Sequence, residues 1–157
     1  MSVFAPGRRL FTAACIAMLL VAILHTIGNT LSSPPDDAQY AAVEAAMRGY
    51  QVPLGLGMTP SVWDIYRGLV FTMSICLVAM AGLGLVVSSA PEATPRLLSR
   101  VAMIEAVASA ALTILYLAYQ ITPALVSMAV VTVLFAAAMR TTSAPAGQTQ
   151  SRETPRA

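Results

Sequence analysis

The chain has 157 residues, of which 57% are hydrophobic and 10% are charged, and its formal net charge is +2. An ordinary soluble domain is about 45–50% apolar and about 25% charged, so this composition excludes a typical soluble domain. The small net charge gives no indication of a nucleic-acid partner. The composition instead predicts one membrane domain that has the lipid bilayer as its solvent.

Four apolar runs are long enough, or nearly so, to cross a hydrocarbon layer of ~30 Å. They cover residues 10–31, 65–89, 101–120 and 123–139. Thr122 and Pro123 separate the last two runs, because Thr can cap a new helix and Pro fits its first turn. The sequence therefore predicts an all-α, four-helix transmembrane bundle. A three-crossing alternative, with one helix over the last two runs, would put the C-terminus opposite the N-terminus.

Residues 32–64 are predicted to form one extracytoplasmic loop that contains a short amphipathic helix over 38–48. Asp36 or Asp37 can cap this helix, and Gly49 can end it. Glu44 and Arg48 form an i, i+4 pair on one face. Three apolar side chains share another face, namely Tyr40, Val43 and Met47. Such a helix is expected to lie on the membrane surface or to cap the bundle. Residues 53–60, rich in Gly and Pro, are predicted to be an aperiodic turn segment.

The arginines predict the orientation. Four crossings put the segment before the first helix, residues 88–100 and the segment after the fourth helix on one side, and these hold seven of the nine arginines. Because cytoplasmic loops are rich in Lys and Arg, both termini are predicted to be cytoplasmic, in a multi-pass protein of the cell inner membrane. Residues 141–157 are expected to form a disordered cytoplasmic tail. A cleaved signal peptide is the alternative for the first run, but no convincing cleavage site follows it.

Polar side chains near the outer side define a first candidate site. His25 and Asn29 are four residues apart in the first helix, so they share a face. Asp64 and Arg67 stand at the start of the second helix, where they can pair with each other. Three residues of the third helix are expected at the same level, namely Tyr116, Tyr119 and Gln120. Together these residues predict a small polar pocket open to the outer side. The alternatives are hydrogen-bonded packing for His25 and Asn29, and a capped helix end for Asp64 and Arg67.

Glu105, inside the third helix, is a second candidate site. A salt bridge to Arg100 or Arg96 is the favoured interpretation. The alternatives are a carboxylate that reaches towards the cytoplasmic surface and a protonated carboxyl inside the bundle. Cys15 and Cys76 are predicted to be buried packing thiols. One histidine without paired cysteines predicts neither a metal site nor a cofactor.

Three segments together carry a resemblance to known proteins. They are His25-Thr26-Ile27-Gly28-Asn29 in the first helix, the outer helix with Met47, and residues 61–68 (Ser-Val-Trp-Asp-Ile-Tyr-Arg-Gly) at the start of the second. This combination resembles a group of small, uncharacterised four-helix bacterial inner-membrane proteins, and the plan is similar to the DoxX-like membrane proteins. The likeness spans about residues 10–85. It implies the fold and no activity.

Two functions follow from these observations. The first is a non-enzymatic membrane subunit or accessory protein that binds a membrane-protein partner, or a second copy of itself, through small-residue helix faces and the outer loop. Ala102, Ala106 and Ala110 form such a face on the third helix. The alternative is a small-molecule-binding protein or membrane enzyme, in which His25 acts as acid or base on a small amphiphilic ligand. The scarcity of ionisable residues favours the first.

Overall fold

The computed structural model describes residues 6–31 and 36–143, and this part of the chain is all-α as predicted. Its five helices are α1 (Pro6–Leu31), α2 (Ala38–Gly49), α3 (Val62–Ser89), α4 (Pro95–Ala118) and α5 (Thr122–Ser143). All except α2 are long and apolar enough to cross a membrane. The four spans that the apolar runs predicted are therefore confirmed.

The described residues form two compact units. The first contains residues 6–18 and 80–143, and the second contains residues 19–31 and 36–79. Helices α1 and α3 each contribute one part to each unit. Helix α4 packs against α5 within the first unit, as two helices joined by a short turn must.

The core of the first unit is built on two aromatic rings. Phe11 and Phe135 are fully buried, and their ring centroids lie 5.8 Å apart in an edge-on arrangement. Close approach between α1 and α3 depends on a glycine, because a Cβ at Gly84 would lie 2.5 Å from the Cys15 sulfur. Gly82, on the same helix, has no such neighbour within 4 Å. Gly84 is therefore a small residue of α3 that allows this helix to contact α1.

Three helix ends lie together at one end of the first unit. The Arg8 guanidinium donates from Nε to the Ser88 carbonyl at 2.5 Å and from Nη2 to the Ala90 carbonyl at 2.8 Å. Since the last carbonyls of a helix have no partner inside it, Arg8 caps the C-terminus of α3. A Cβ at Gly7 would meet the Thr142 side chain at 2.6 Å. The start of α1 and the ends of α3 and α5 thus lie together, as four crossings require.

Helix α4 begins earlier than predicted. Thr94 is its N-cap, with Oγ1 accepting a hydrogen bond from the Leu97 amide at 3.2 Å, and Pro95 occupies the first turn. Arg96 and Arg100 were predicted in the loop before this helix, whereas both lie on the helix. A threonine followed by proline is a helix start signal, and it outweighs the charges that follow it.

The connection between α4 and α5 is a tight turn at Gln120, whose φ is +56°. The Ile121 amide donates to the Tyr116 carbonyl at 3.0 Å, and the Gln120 amide donates to Leu117 at 3.2 Å. These two bonds form a Schellman motif with glutamine in the left-handed position. Helix α5 then continues past the predicted end at residue 139, as far as Ser143. The rest of the predicted tail, 144–157, lies outside the described residues.

Helix α2 of the second unit confirms the predicted local contacts. The Asp37 side chain caps it by accepting from the Gln39 amide at 2.8 Å, and Arg48 contacts Glu44 at 2.6 Å. The helix ends one residue later than predicted, because Gly49 is still helical and Tyr50 is the extended C-cap. No residue of α2 is buried.

Residues 50–61 form a short hairpin, whereas the sequence predicted an aperiodic turn segment over 53–60. Its backbone bonds join Val52 to Pro60 at 2.9 Å and Leu54 to Met58 at 3.1 Å. The turn is made by three consecutive residues with positive φ: Gly55 at +86°, Leu56 at +52° and Gly57 at +76°. The two flanking glycines adopt this conformation readily, whereas a leucine there is strained.

Gly57→Ala is expected to destabilise this hairpin by about 1 kcal/mol. A Cβ at Gly57 would have no neighbour within 4 Å, so the cost is conformational. Hydrogen–deuterium exchange at the Val52 and Leu54 amides should accelerate about fivefold. Gly49→Ala is the matched control, because Gly49 is helical and equally unobstructed. Equal exchange rates in the two variants would contradict the prediction.

Gly84→Ala is expected to destabilise the first unit by about 1–3 kcal/mol, because the new methyl group overlaps the Cys15 sulfur. Adding Cys15→Ala should recover part of this loss, so that the double variant is more stable than additivity predicts. Unfolding in detergent measures both effects. Gly82→Ala, which meets nothing within 4 Å, serves as control. Strictly additive losses would show that this contact is unimportant.

Candidate functional site

His25 and Asn29 share a face of α1, as predicted. The Asn29 amide nitrogen lies 3.5 Å from each ring nitrogen of His25 and donates to the His25 carbonyl at 2.7 Å. His25 is half-buried and Asn29 is exposed. The shortest of these bonds satisfies the Asn29 amide within its own helix.

Asp64 belongs to the cap of α3. Its Oδ2 accepts from the Ser61 hydroxyl at 2.6 Å and from the Ser61 amide at 3.0 Å. The Asp64 amide donates back to the Ser61 hydroxyl at 3.2 Å. This reciprocal pair is a capping box, so the interpretation of Asp64 as part of a capped helix end is confirmed.

The predicted pairing of Asp64 with Arg67 is wrong. The ion pair found within residues 6–31 and 36–143 is Arg48 with Glu44. The guanidinium of Arg67 lies 5.3 Å from the ring centroid of Phe71, one turn further along α3. The Asp64 carboxylate binds the Ser61 hydroxyl and amide, and the Arg67 guanidinium contacts an aromatic face.

Arg48 and Trp63 form a contact that the sequence analysis missed. The Arg48 guanidinium lies 4.6 Å from the Trp63 ring centroid, and Trp63 stands 5.7 Å from the Tyr66 ring. The hairpin produces this contact, because the bond from the Val62 amide to the Tyr50 carbonyl brings the chain back to the end of α2. The sequence indicates a turn segment between the two helices. It does not indicate which backbone groups of that segment pair with each other.

The three candidate residues near the end of α4 have different environments. Tyr116 is buried, with 7% of its surface exposed, whereas Tyr119 is 72% exposed. Tyr119 is the C-cap of α4 and Gln120 is the left-handed residue of the turn. Tyr119 and Gln120 therefore have a structural role in ending the helix.

Within the second unit, the pocket residues bond in separate places. The structure joins His25 to Asn29 and Asp64 to Ser61, and between these two pairs it describes no hydrogen bond or ion pair. The polar pocket around His25 and Asn29 stays a prediction.

Glu105 is 6% exposed, and the structure gives its Oε2 no hydrogen-bond partner. The predicted salt bridge to Arg100 or Arg96 is wrong. At about 100° per residue, Arg100 points about 140° away from Glu105 around α4, and Arg96 points about 180° away. Both arginines are exposed.

The two cysteines differ. Cys15 is fully buried, as predicted, but Cys76 is exposed, so the prediction for Cys76 is wrong. Helix α3 has apolar side chains on buried and on exposed faces, as Leu77 and Ile75 show. Such a helix carries no sequence signal for which face is buried.

Four apolar helices of spanning length define the class of this chain, which is a multi-pass membrane protein. No family model, no curated protein and no solved structure matches it.

Ser61→Ala is expected to cost about 1 kcal/mol of stability, because it removes the N-cap of α3 and one donor to Asp64. The amides at the start of α3 should exchange with deuterium about fivefold faster. Ser89→Ala is the control, since the exposed Ser89 hydroxyl only donates to the Leu85 carbonyl. Unchanged exchange in Ser61→Ala would show that Asp64 is held by other contacts.

Proposed function

We propose that this chain is a non-enzymatic membrane subunit or accessory protein, and that its hairpin binds another integral membrane protein. The observation that carries the proposal is the apolar surface at the hairpin tip. Leu56 is 99% exposed, Leu54 is 56% exposed and Met58 is 54% exposed. Exposed apolar patches on ordered structure are typical of interaction sites.

The conformation of Leu56 strengthens this argument. A left-handed backbone costs an L-residue such as leucine about 1–2 kcal/mol, and glycine or asparagine would occupy the position at lower cost. The Leu56 side chain makes no compensating contact within its own fold, because almost all of its surface is exposed. A partner that covers Leu56 would supply the missing burial energy.

The hairpin base is held in place. Arg48 stacks on Trp63 and pairs with Glu44, which ties the end of α2 to the start of α3. The tip is therefore presented on a fixed base, and binding orders fewer side chains. No charged residue occurs between Arg48 and Asp64, so the tip offers an uncharged surface with charged groups at its edge.

The polar candidates support a non-enzymatic role. A general acid or base must reach a substrate proton, and the Asp64 carboxylate already holds two donors from Ser61. The Asn29 amide is likewise bonded within α1.

The arginine distribution completes the proposal. It supports an inner-membrane protein with both termini in the cytoplasm, which places the hairpin outside. The likeness to small bacterial membrane proteins of DoxX-like plan is part of the same proposal and rests on the three segments quoted above.

Photo-crosslinking in native membranes tests the proposed contact. A crosslinker at Met58 should yield an adduct with another membrane protein, and Leu56→Asn should reduce that adduct about tenfold. Asparagine tolerates the left-handed conformation, so this variant keeps the turn and loses the apolar side chain. A crosslinker at Gln39, which is exposed on α2, is the control site.

Three outcomes are informative. An adduct with a different protein supports the proposal, and an adduct between two copies identifies the chain itself as the partner. Adducts with lipid alone would overturn the proposed protein contact and make the hairpin tip a membrane-surface element.

A further inference from the structure

Glu105 lies near the middle of α4. It is ten residues from Pro95, which corresponds to ~15 Å along the helix, and five residues from the exposed Arg100, which corresponds to ~8 Å. The side chain is 6% exposed and Oε2 has no hydrogen-bond partner. A carboxyl group is therefore buried in a membrane-spanning helix without a donor on one of its oxygens.

The structure records no salt bridge to Glu105 among the described residues. Arg8, on the same face of α1 as Cys15, donates to the Ser88 and Ala90 carbonyls. From α1, the Cys15 thiol is close enough to interact with Glu105 electrostatically. Residues 80–89 of α3 contain no titratable side chain, and Arg140, near the end of α5, is exposed. Arg96 and Arg100 point to other sides of α4. An isolated carboxylate inside a membrane costs several kcal/mol, and a bound proton removes that cost.

The buried face of α4 is polar on only one side of Glu105. Ser109 donates its hydroxyl to the Glu105 carbonyl at 2.7 Å, and Thr113 donates to the Ser109 carbonyl at 2.8 Å. Tyr116 continues this face and is buried. Towards Pro95, the corresponding buried positions are apolar, namely Leu98 and Ala102. The Ser109 and Thr113 hydroxyls are therefore used on backbone carbonyls, and neither is a donor to the Glu105 carboxyl group.

We propose that Glu105 is a proton-binding site inside the membrane and is a neutral carboxylic acid in the resting protein. This site is independent of the proposed partner contact at the hairpin, and its ligand is the proton.

Infrared spectroscopy of the full chain in lipid vesicles tests the protonation state. The chain has seven acidic residues, and at about pH 8 an ordinary carboxyl group is ionised. Wild-type protein should nevertheless show the carbonyl stretch of a protonated carboxyl group, and Glu105→Gln should lack it. Glu92→Gln, at an exposed position, is the matched control and should keep the band. A wild-type spectrum without this band, or a band that persists in Glu105→Gln, overturns the proposal.

A second measurement needs no variant. A hydrophobic carbodiimide adds the O–H of a carboxylic acid across one C=N bond, with the proton on nitrogen and the carboxyl oxygen on carbon, and the adduct rearranges to a stable N-acylurea. No atom is lost, so peptide mass spectrometry should find Glu105 heavier by one carbodiimide. Absence of this label on folded protein would also overturn the proposal.

Discussion

Hydrocarbon offers no water to a peptide group, and this constraint shapes every part of the spans. Helices satisfy the interior of each span, but the first amides and last carbonyls of a helix need partners from elsewhere. The chain supplies them locally. Ser61 and Thr94 cap helix starts, Arg8 caps the end of α3, and the turn at Gln120 closes α4. The left-handed backbone at Gln120 is tolerated because the two Schellman hydrogen bonds offset its cost in free energy.

The same constraint explains the hydroxyl groups inside the spans. Thr12, Thr26 and Thr72 each donate to the carbonyl four residues earlier, so their polar atoms are satisfied within one helix. Among the described residues, two buried side-chain oxygens are exceptions: Ser74 Oγ and Glu105 Oε2. An unpaired hydroxyl costs much less than an unpaired carboxylate. Of these two side chains, Glu105 is therefore the one whose missing hydrogen bond costs more free energy.

Local patterns could be predicted from the sequence, and non-local ones could not. Some features depend only on neighbours within a few residues, and these could be predicted. They are the spans, the Asp37 cap and the Glu44–Arg48 pair. The hairpin depends on backbone bonds between residues 50 and 62, for which no side-chain pattern exists. Uniformly apolar helices hide their buried faces, which is why the exposure of Cys76 was not foreseen. The salt bridge to Glu105 failed for a geometric reason, since proximity in sequence was mistaken for a shared helix face.

The predicted polar pocket and Glu105 differ in how far the fold itself stabilises their polar groups. At His25, Asn29 and Asp64, local hydrogen bonds use one N–H of the Asn29 amide and one oxygen of the Asp64 carboxylate, so the fold already stabilises these groups without a ligand. Each such hydrogen bond contributes about 1 kcal/mol. Glu105 differs, because the fold does not stabilise its ionised form. An unpartnered buried carboxylate is costly in free energy, and binding a proton removes that cost. The residues that looked most like a site in the sequence are bonded locally, and the buried carboxyl group is the one that its ligand would stabilise.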